Sequence, residues 1–378
     1  MDDWKVPLYK ILVDKEDVNS VSKVIKRGNY WALGPEIEDF EKDLANYIGT
    51  RYCVTFNSGT SALHASLLSL NLGIKNEILV PSFTFISTAN SVLMSNLVPK
   101  FVDIESSTFG LDPNLIEKSI SKNTKAIIPV HYAGSPCDIS SIKQISNSKK
   151  LFLIEDAAES LGSSFKGKKI GSFGDLGIFS FAGNKVLTTG EGGAVVTNSK
   201  KLFERLKLIR SHGRDDKQNY FASIDKPKYI DLGYNWRMSS ITAALGISQL
   251  NKIEKLISMR RKNANYLTKK LQKIEFLETP FDPPHSKHVY QLYTIKLRSS
   301  FIRNKLKKFL QTKKIMSKVF FYPIHKTNYY KNILTKSPYL PVTESLSDCV
   351  LTLPMYPELE KTDLDYVSDS IVEFFESS

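Results

Sequence analysis

The sequence predicts an α/β fold: a large domain built on a mostly parallel sheet between helices, followed by a smaller C-terminal α+β domain. Seven short apolar runs recur through the first two thirds of the chain, separated by stretches long enough for crossover helices. From about Ser239 this alternation gives way to a long helical pattern over 241–271 with a Lys/Arg-rich polar side. A Pro-rich turn, TPFDPPH at 279–285, then leads into shorter mixed elements.

The runs fall at 52–57 (YCVTFN), 77–81 (EILVP), 98–104 (VPKFVDI), 126–132 (AIIPVHY), 151–155 (LFLIE), 176–181 (LGIFSF) and 192–197 (GGAVVT). Most are apolar almost throughout, as in strands covered on both faces. Segments 61–72, 82–94 and 112–120 between them are expected to be crossover helices. The stretch 241–271 reads as a bridge between domains. Beyond it a strand at 290–297 and helices at 303–310 and 363–374 are expected, which divides the chain into 1–250 and 251–378. There is no internal repeat.

Hydrophobic residues at 42% and charged residues at 24% exclude a disordered or fibrous chain. Lys and Arg number 52 against 39 Asp and Glu, a net charge of +13 that favours anionic partners without choosing among them. A basic DNA-binding regulator is a rival that this charge would suit, but no helix-turn-helix segment is found, and no nucleic-acid partner is expected. The segment 301–320 carries seven basic residues and no acids. With Ile302, Leu306, Phe309 and Leu310 at helical spacing, it reads as a solvated helix face rather than a membrane-docking surface. The cysteines Cys53, Cys137 and Cys349 are far apart, and His285 and His288 lack nearby partners, so neither disulfides nor a metal site is expected. The start, MDDWKVPLYK, lacks an apolar leader, and no later run reaches the length of a membrane span. A soluble cytoplasmic protein without membrane insertion is expected.

Ligands of open parallel sheets bind outside the carboxyl ends of the strands, so polar residues just after the runs deserve priority. After 52–57 comes Asn57-Ser58-Gly59-Thr60-Ser61, which suits either an anion cradle at a helix start or a simple N-cap by Ser58 or Thr60. After 151–155 comes Asp156, a cap for a following helix or a carboxylate for a ligand cation. After 176–181 comes Lys185, five residues beyond Ser180, between GIFSFAG and the glycine-rich TTGEGG. A recessed lysine there would lose hydration and favour its neutral, nucleophilic form. TTGEGG matches neither a dinucleotide nor a P-loop pattern, and no GxSxG or HExxH motif occurs. An anion cradle, a strand-end aspartate and a recessed lysine together are what pyridoxal phosphate requires for its phosphate, ring nitrogen and aldehyde.

With these residues in place, the sequence resembles the DegT-type nucleotide-sugar aminotransferases of the fold type I aspartate aminotransferase superfamily. The resemblance covers nearly the whole chain. It runs through GPEIEDFEKDLANYIG (34–49), NSGTSALHASLLSLNLG (57–73), PSFTFISTAN (81–90), FVDI (101–104), IIPVHYAGSPCDI (127–139), IEDAAESLGSSFKGKKIGSFGDLGIFSFAGNKVLTTGEGGAVVTN (154–198), LGYNWRMSSITAALGISQL (232–250) and FYPIH (321–325). It implies a mixed, mostly parallel seven-stranded sheet between helices and pyridoxal 5'-phosphate (PLP, or its amino form PMP) as cofactor. By the same resemblance, Lys185 joins the cofactor aldehyde and moves the proton, and Asp156 pairs with the ring nitrogen. Phe85 stacks on the ring, Glu159 contacts the ring hydroxyl, and Gly59, Thr60 and Ser180 cradle the phosphate. Asn235 reaches the cofactor phosphate of a neighbouring subunit, implying a homodimer with shared active sites, and Arg237 and His325 lie near the nucleotide sugar.

Relatives that remove a sugar hydroxyl carry histidine where this chain has Lys185. The resemblance therefore implies amino transfer from L-glutamate to a keto sugar. FSFAGNKVLTTGEGG and GYNWRM are most similar to the perosamine synthase branch, which aminates a 4-keto-6-deoxy nucleotide sugar for surface polysaccharide or glycan. Ala182 departs from the aromatic residue common in that branch, and HYAG at 131–134 resembles another 4-aminotransferase branch. Amination at carbon 3 is the alternative, and GDP, dTDP and UDP are the candidate nucleotides.

Overall fold

The structure, a computed structural model, describes residues 4–215, 224 and 226–376. Its strands in chain order are β1 (Tyr52–Phe56), β2 (Glu77–Pro81), β3 (Val98–Val102), β4 (Thr124–Ile127), β5 (Phe152–Asp156), β6 (Ser164–Phe165), β7 (Lys168–Lys169), β8 (Leu176–Ser180), β9 (Gly193–Thr197), β10 (Leu277–Glu278), β11 (Ser286–Lys287), β12 (Tyr293–Leu297) and β13 (Val350–Leu353). The seven apolar runs all become strands of one sheet, in the order β1-β9-β8-β5-β4-β2-β3. β9 runs antiparallel to β1 and β8, and the remaining pairings are parallel. The sheet is therefore mixed and mostly parallel, as expected. The carboxyl ends of β1, β2, β3, β4, β5 and β8 open along one edge.

Helix α1 (Lys15–Arg27) packs against the later helix at Ser240–Asn251, and helices α2 (Pro35–Ile48), α3 (Gly59–Ser69), α4 (Ser87–Met94), α5 (Pro113–Ser119), α6 (Ile139–Lys149) and α7 (Lys200–Arg210) cover the sheet. The covering makes two cores. One holds Phe40, Leu44, Leu79, Ile127, Phe179 and Phe181, and the other Phe56, Leu67, Ile78, Val80, Ile154 and Val195. Neighbouring residues of one strand, such as Ile78 and Leu79, thus enter opposite cores, which explains why the runs show no polar alternation.

The stretch 241–271 is not one helix but two, α8 (Ser240–Asn251) and α9 (Ile253–Leu271). The break falls at Lys252, whose backbone leaves the helical region and whose ammonium meets Asp14 at 2.7 Å and the buried Asp17 at 2.5 Å. Asp17 also accepts from Ser248 and Gln249, so the sharp turn is fixed by one buried carboxylate. No local breaker marks this in the sequence, because its cause lies more than two hundred residues away.

Helix α9 enters the first core through Ile253, Leu256 and Ile257, and a third core through Ala264, Leu267 and Leu271. That third core holds β10, β12 and β13 with α10 (Ser300–Thr312), followed by α11 (Asn328–Ile333), α12 (Pro341–Cys349) and α13 (Lys361–Glu376). Val6 joins it too: its N–H donates to the Lys314 carbonyl at 3.2 Å. The N-terminal segment, assigned from sequence to the 1–250 unit, therefore packs against the C-terminal part. No described helix is long and apolar enough to cross a membrane.

Candidate active site

The end of β1 and the end of β8 meet across β9. Gly193 pairs with Phe56 on one side and Ser180 on the other. This register brings Gly59, the first residue of α3, against Ser180: a Cβ on Gly59 would lie 2.9 Å from the Ser180 Cβ and 3.1 Å from its Oγ. Thr60 Oγ1 shares a 2.7 Å hydrogen bond with Ser87 Oγ. Ser58, not Thr60, is the N-cap, accepting from the Ser61 N–H at 3.1 Å. Gly59, Thr60 and Ser180 thus gather at one helix start, where backbone N–H groups and small hydroxyls favour an anion.

Asp156 closes β5 and is 4% exposed. A turn follows it rather than a helix, so it is not a helix cap. Its Oδ2 accepts from Thr88 Oγ1 at 2.8 Å and its Oδ1 from the Ala158 N–H at 3.2 Å. Burial raises its pKa above the usual carboxylate range, while the Thr88 hydroxyl, the Ala158 N–H and the charge of Lys185 oppose the rise. The Lys185 ammonium sits 3.5 Å from Glu159 Oε1, with 14% of its side chain exposed. It is therefore recessed, though paired with an anion. Glu159 Oε2 in turn accepts from the Ala133 N–H at 2.8 Å. Phe85 stands 59% exposed in the loop between β2 and α4, its ring 6.2 Å from that of Phe321.

Asn235, Arg237 and His325 make their bonds with other partners. Asn235 is exposed, and its backbone bridges Ser211. The next residue, Trp236, accepts from the Asn57 N–H at 2.9 Å, which ties this segment to the end of β1. Arg237 is half-buried and donates to Ser211 Oγ at 3.2 Å, with its pKa lowered by burial and then by Arg214 and Arg210. His325 is buried. Its Nδ1 faces Ser82 Oγ at 2.7 Å and its Nε2 faces Glu344 Oε1 at 3.2 Å, so both ring nitrogens are engaged away from Lys185 and Asp156. Burial lowers its pKa against the pull of Glu344.

Sequence reasoning missed Thr88, one of many helix threonines. It also missed Glu155, which the strand alternation turns to the opposite face from Asp156. Glu155 accepts from the N–H groups of Gly171, Phe173 and Gly174 at 2.9, 2.6 and 2.7 Å and faces His131 Nε2 at 3.2 Å. His131 Nδ1 accepts from the Cys137 N–H, which puts the ring proton on Nε2 and directs it to Glu155. That network braces β5 from behind. Among the described residues no cluster of three or more His, Cys, Asp or Glu could hold a metal ion.

Anion cradle, buried carboxylate, recessed amine and exposed aromatic ring form a set suited to an anionic aromatic aldehyde. The model of the DegT/DnrJ/EryC1/StrS aminotransferase family matches residues 12–372. The GDP-perosamine synthase of Escherichia coli O157:H7 is 34% identical over 376 residues, 98% of each chain. That of Caulobacter vibrioides is 36% identical over 342 residues, 89% of each chain. Among solved structures, Helicobacter pylori PseC, an aminotransferase involved in the biosynthesis of pseudoaminic acid, superposes with a TM-score of 0.93 at 30% identity, covering 99% of this chain and all of that one. The chain belongs to the DegT/DnrJ/EryC1/StrS aminotransferase family.

Proposed function

We propose that this protein transfers the amino group of L-glutamate to carbon 4 of a 4-keto-6-deoxy nucleotide sugar, with pyridoxal 5'-phosphate as cofactor. The observation that carries the reading is the pairing of a buried Asp156, bonded at both oxygens, with a recessed Lys185 on the same sheet edge. The residues fit the cofactor: the cradle at Gly59 is so close to Ser180 that a single methyl would fill it. When bound, the cofactor supplies an aldehyde reactive toward amines and a ring that withdraws electrons.

The chain's own groups then have distinct tasks. Asp156, whose ionised form the Thr88 hydroxyl and the Ala158 N–H favour, would hold a proton on the ring nitrogen. Glu159 Oε1 orients the Lys185 amine, and Lys185 Nζ takes up and returns the proton that moves during transfer. Gly59, Thr60 and Ser180 bind the phosphate, and Phe85 covers one ring face. Asn235, exposed on one chain, serves the cofactor phosphate of a second copy, so the active unit is a homodimer. Arg237 contributes charge toward the nucleotide, and His325 shapes the sugar side through Ser82. The large and small domains meet near residue 250.

Preference for carbon 4 is supported by the names of the two GDP-perosamine synthase relatives and by the segments FSFAGNKVLTTGEGG and GYNWRM. The test is a panel of keto nucleotide sugars with glutamate as donor, the new nitrogen being located by NMR. Nitrogen at carbon 4 is expected; nitrogen at carbon 3 overturns the assignment.

A further inference from the structure

We propose that Gln291 positions Lys185, its amide pinning the lysine loop to the C-terminal part of the chain so that the amine is held against Glu159. The inference rests on the role given to Lys185 above. Gln291 is 2% exposed, and its Nε2–H donates to the Asn184 carbonyl at 2.5 Å. That carbonyl and the Lys185 N–H belong to one planar peptide unit. The N–H donates to the Ala182 carbonyl at 3.0 Å, so the unit that sets the direction of the lysine is held on both sides.

Gln291 is itself fixed. The buried Arg260 donates from Nη1 to the carbonyls of Tyr290, Gln291 and Met355 at 3.3, 3.4 and 2.9 Å. On either side, the N–H groups of Val289 and Leu292 donate to Gly134 and Ala133 at 3.1 Å each. Ala133 is the residue whose N–H holds Glu159. One short segment, 289–292, therefore fixes both members of the Lys185–Glu159 pair, the lysine through a side chain and the glutamate through the backbone. Gln291 Oε1 is buried without a hydrogen-bond partner.

The test is competitive acetylation of the cofactor-free protein with acetic anhydride, labelling of Lys185 being measured by mass spectrometry relative to the exposed Lys305. Gln291→Met keeps the length and loses the donor; Gln291→Glu sets a carboxylate against the Asn184 carbonyl. Both are expected to raise the Lys185 to Lys305 ratio, by about two- to fivefold for Met, the range for freeing an amine from a partly exposed ion pair, and by more for Glu. An unchanged ratio in folded variants, or a rise shared by all lysines, overturns the proposal. A second measurement covers variants that fail to fold: in the unmodified protein the Lys185 amide should exchange hydrogen no faster than that of Leu292, and faster exchange overturns the pin. Because the labelling needs no cofactor, it reads the pin independently; absence of a cofactor adduct on Lys185 would sink the functional reading alone.

Discussion

Replacing Thr88 by valine removes one hydroxyl from a buried site and nearly keeps the side-chain shape. That hydroxyl donates its proton to Asp156 at 2.8 Å, so in its 3.0 Å contact with Thr84 it must be the acceptor. A hydrogen bond to a buried charged group contributes about 1.5–3 kcal/mol. Unfolding entropy of about 2.1 cal/mol/K per residue gives a chain of 378 residues about 0.8 kcal/mol/K, so Tm should fall by about 2–4 °C. The pH dependence has a definite sign. Burial raises the folded-state pKa of Asp156 above its ordinary 3.8, so ionising it weakens the fold. That loss is absent at acid pH, grows as pH climbs from 3.8, and is complete above the folded value. Valine pushes the folded value higher still. Scanning calorimetry of the cofactor-free protein should therefore show the gap between the two proteins widening as pH rises. Equal Tm values across the range, or a gap that widens toward acid, would refute the role assigned to Thr88.

Gly59→Ala places a methyl 2.9 Å from the Ser180 Cβ, an overpacking worth about 1–3 kcal/mol; a fluorescence titration should show weaker cofactor binding, and undiminished affinity would count against the cradle. Lys252→Met strips the ammonium from Asp17, which is 1% exposed, and should cost about 3–5 kcal/mol in urea unfolding; a loss below about 1 kcal/mol would mean the turn between α8 and α9 does not depend on it. Lys185→Ala and Asn235→Ala should each inactivate the enzyme, yet mixing the two should restore roughly a quarter of the activity, since half of the random dimers then contain one intact shared site. No restoration would place both residues in one subunit's site.

Much of this fold was legible because its signals are local. The seven runs are apolar on both faces and became strands with ends shifted by a few residues, as in 126–132 against Thr124–Ile127. Residues at strand ends, such as Asp156 and Ser180, were legible because strand polarity alone delivers them to one edge. What escaped depends on distant partners. The break at Lys252 is set by Asp14 and Asp17. The N-terminal Val6 finds its pairing partner at Ile315. Thr88 gains importance only because α4 lays it over β5, and Gln291 only because a loop from another part of the chain ends beneath it. Nothing local in the sequence reveals that Glu159 folds back beside Lys185.

Borohydride reduction of the purified protein, followed by peptide mass spectrometry, should give a pyridoxyl adduct on Lys185. An adduct confined to another lysine, or none after incubation with pyridoxal phosphate, would contradict the role given to Lys185.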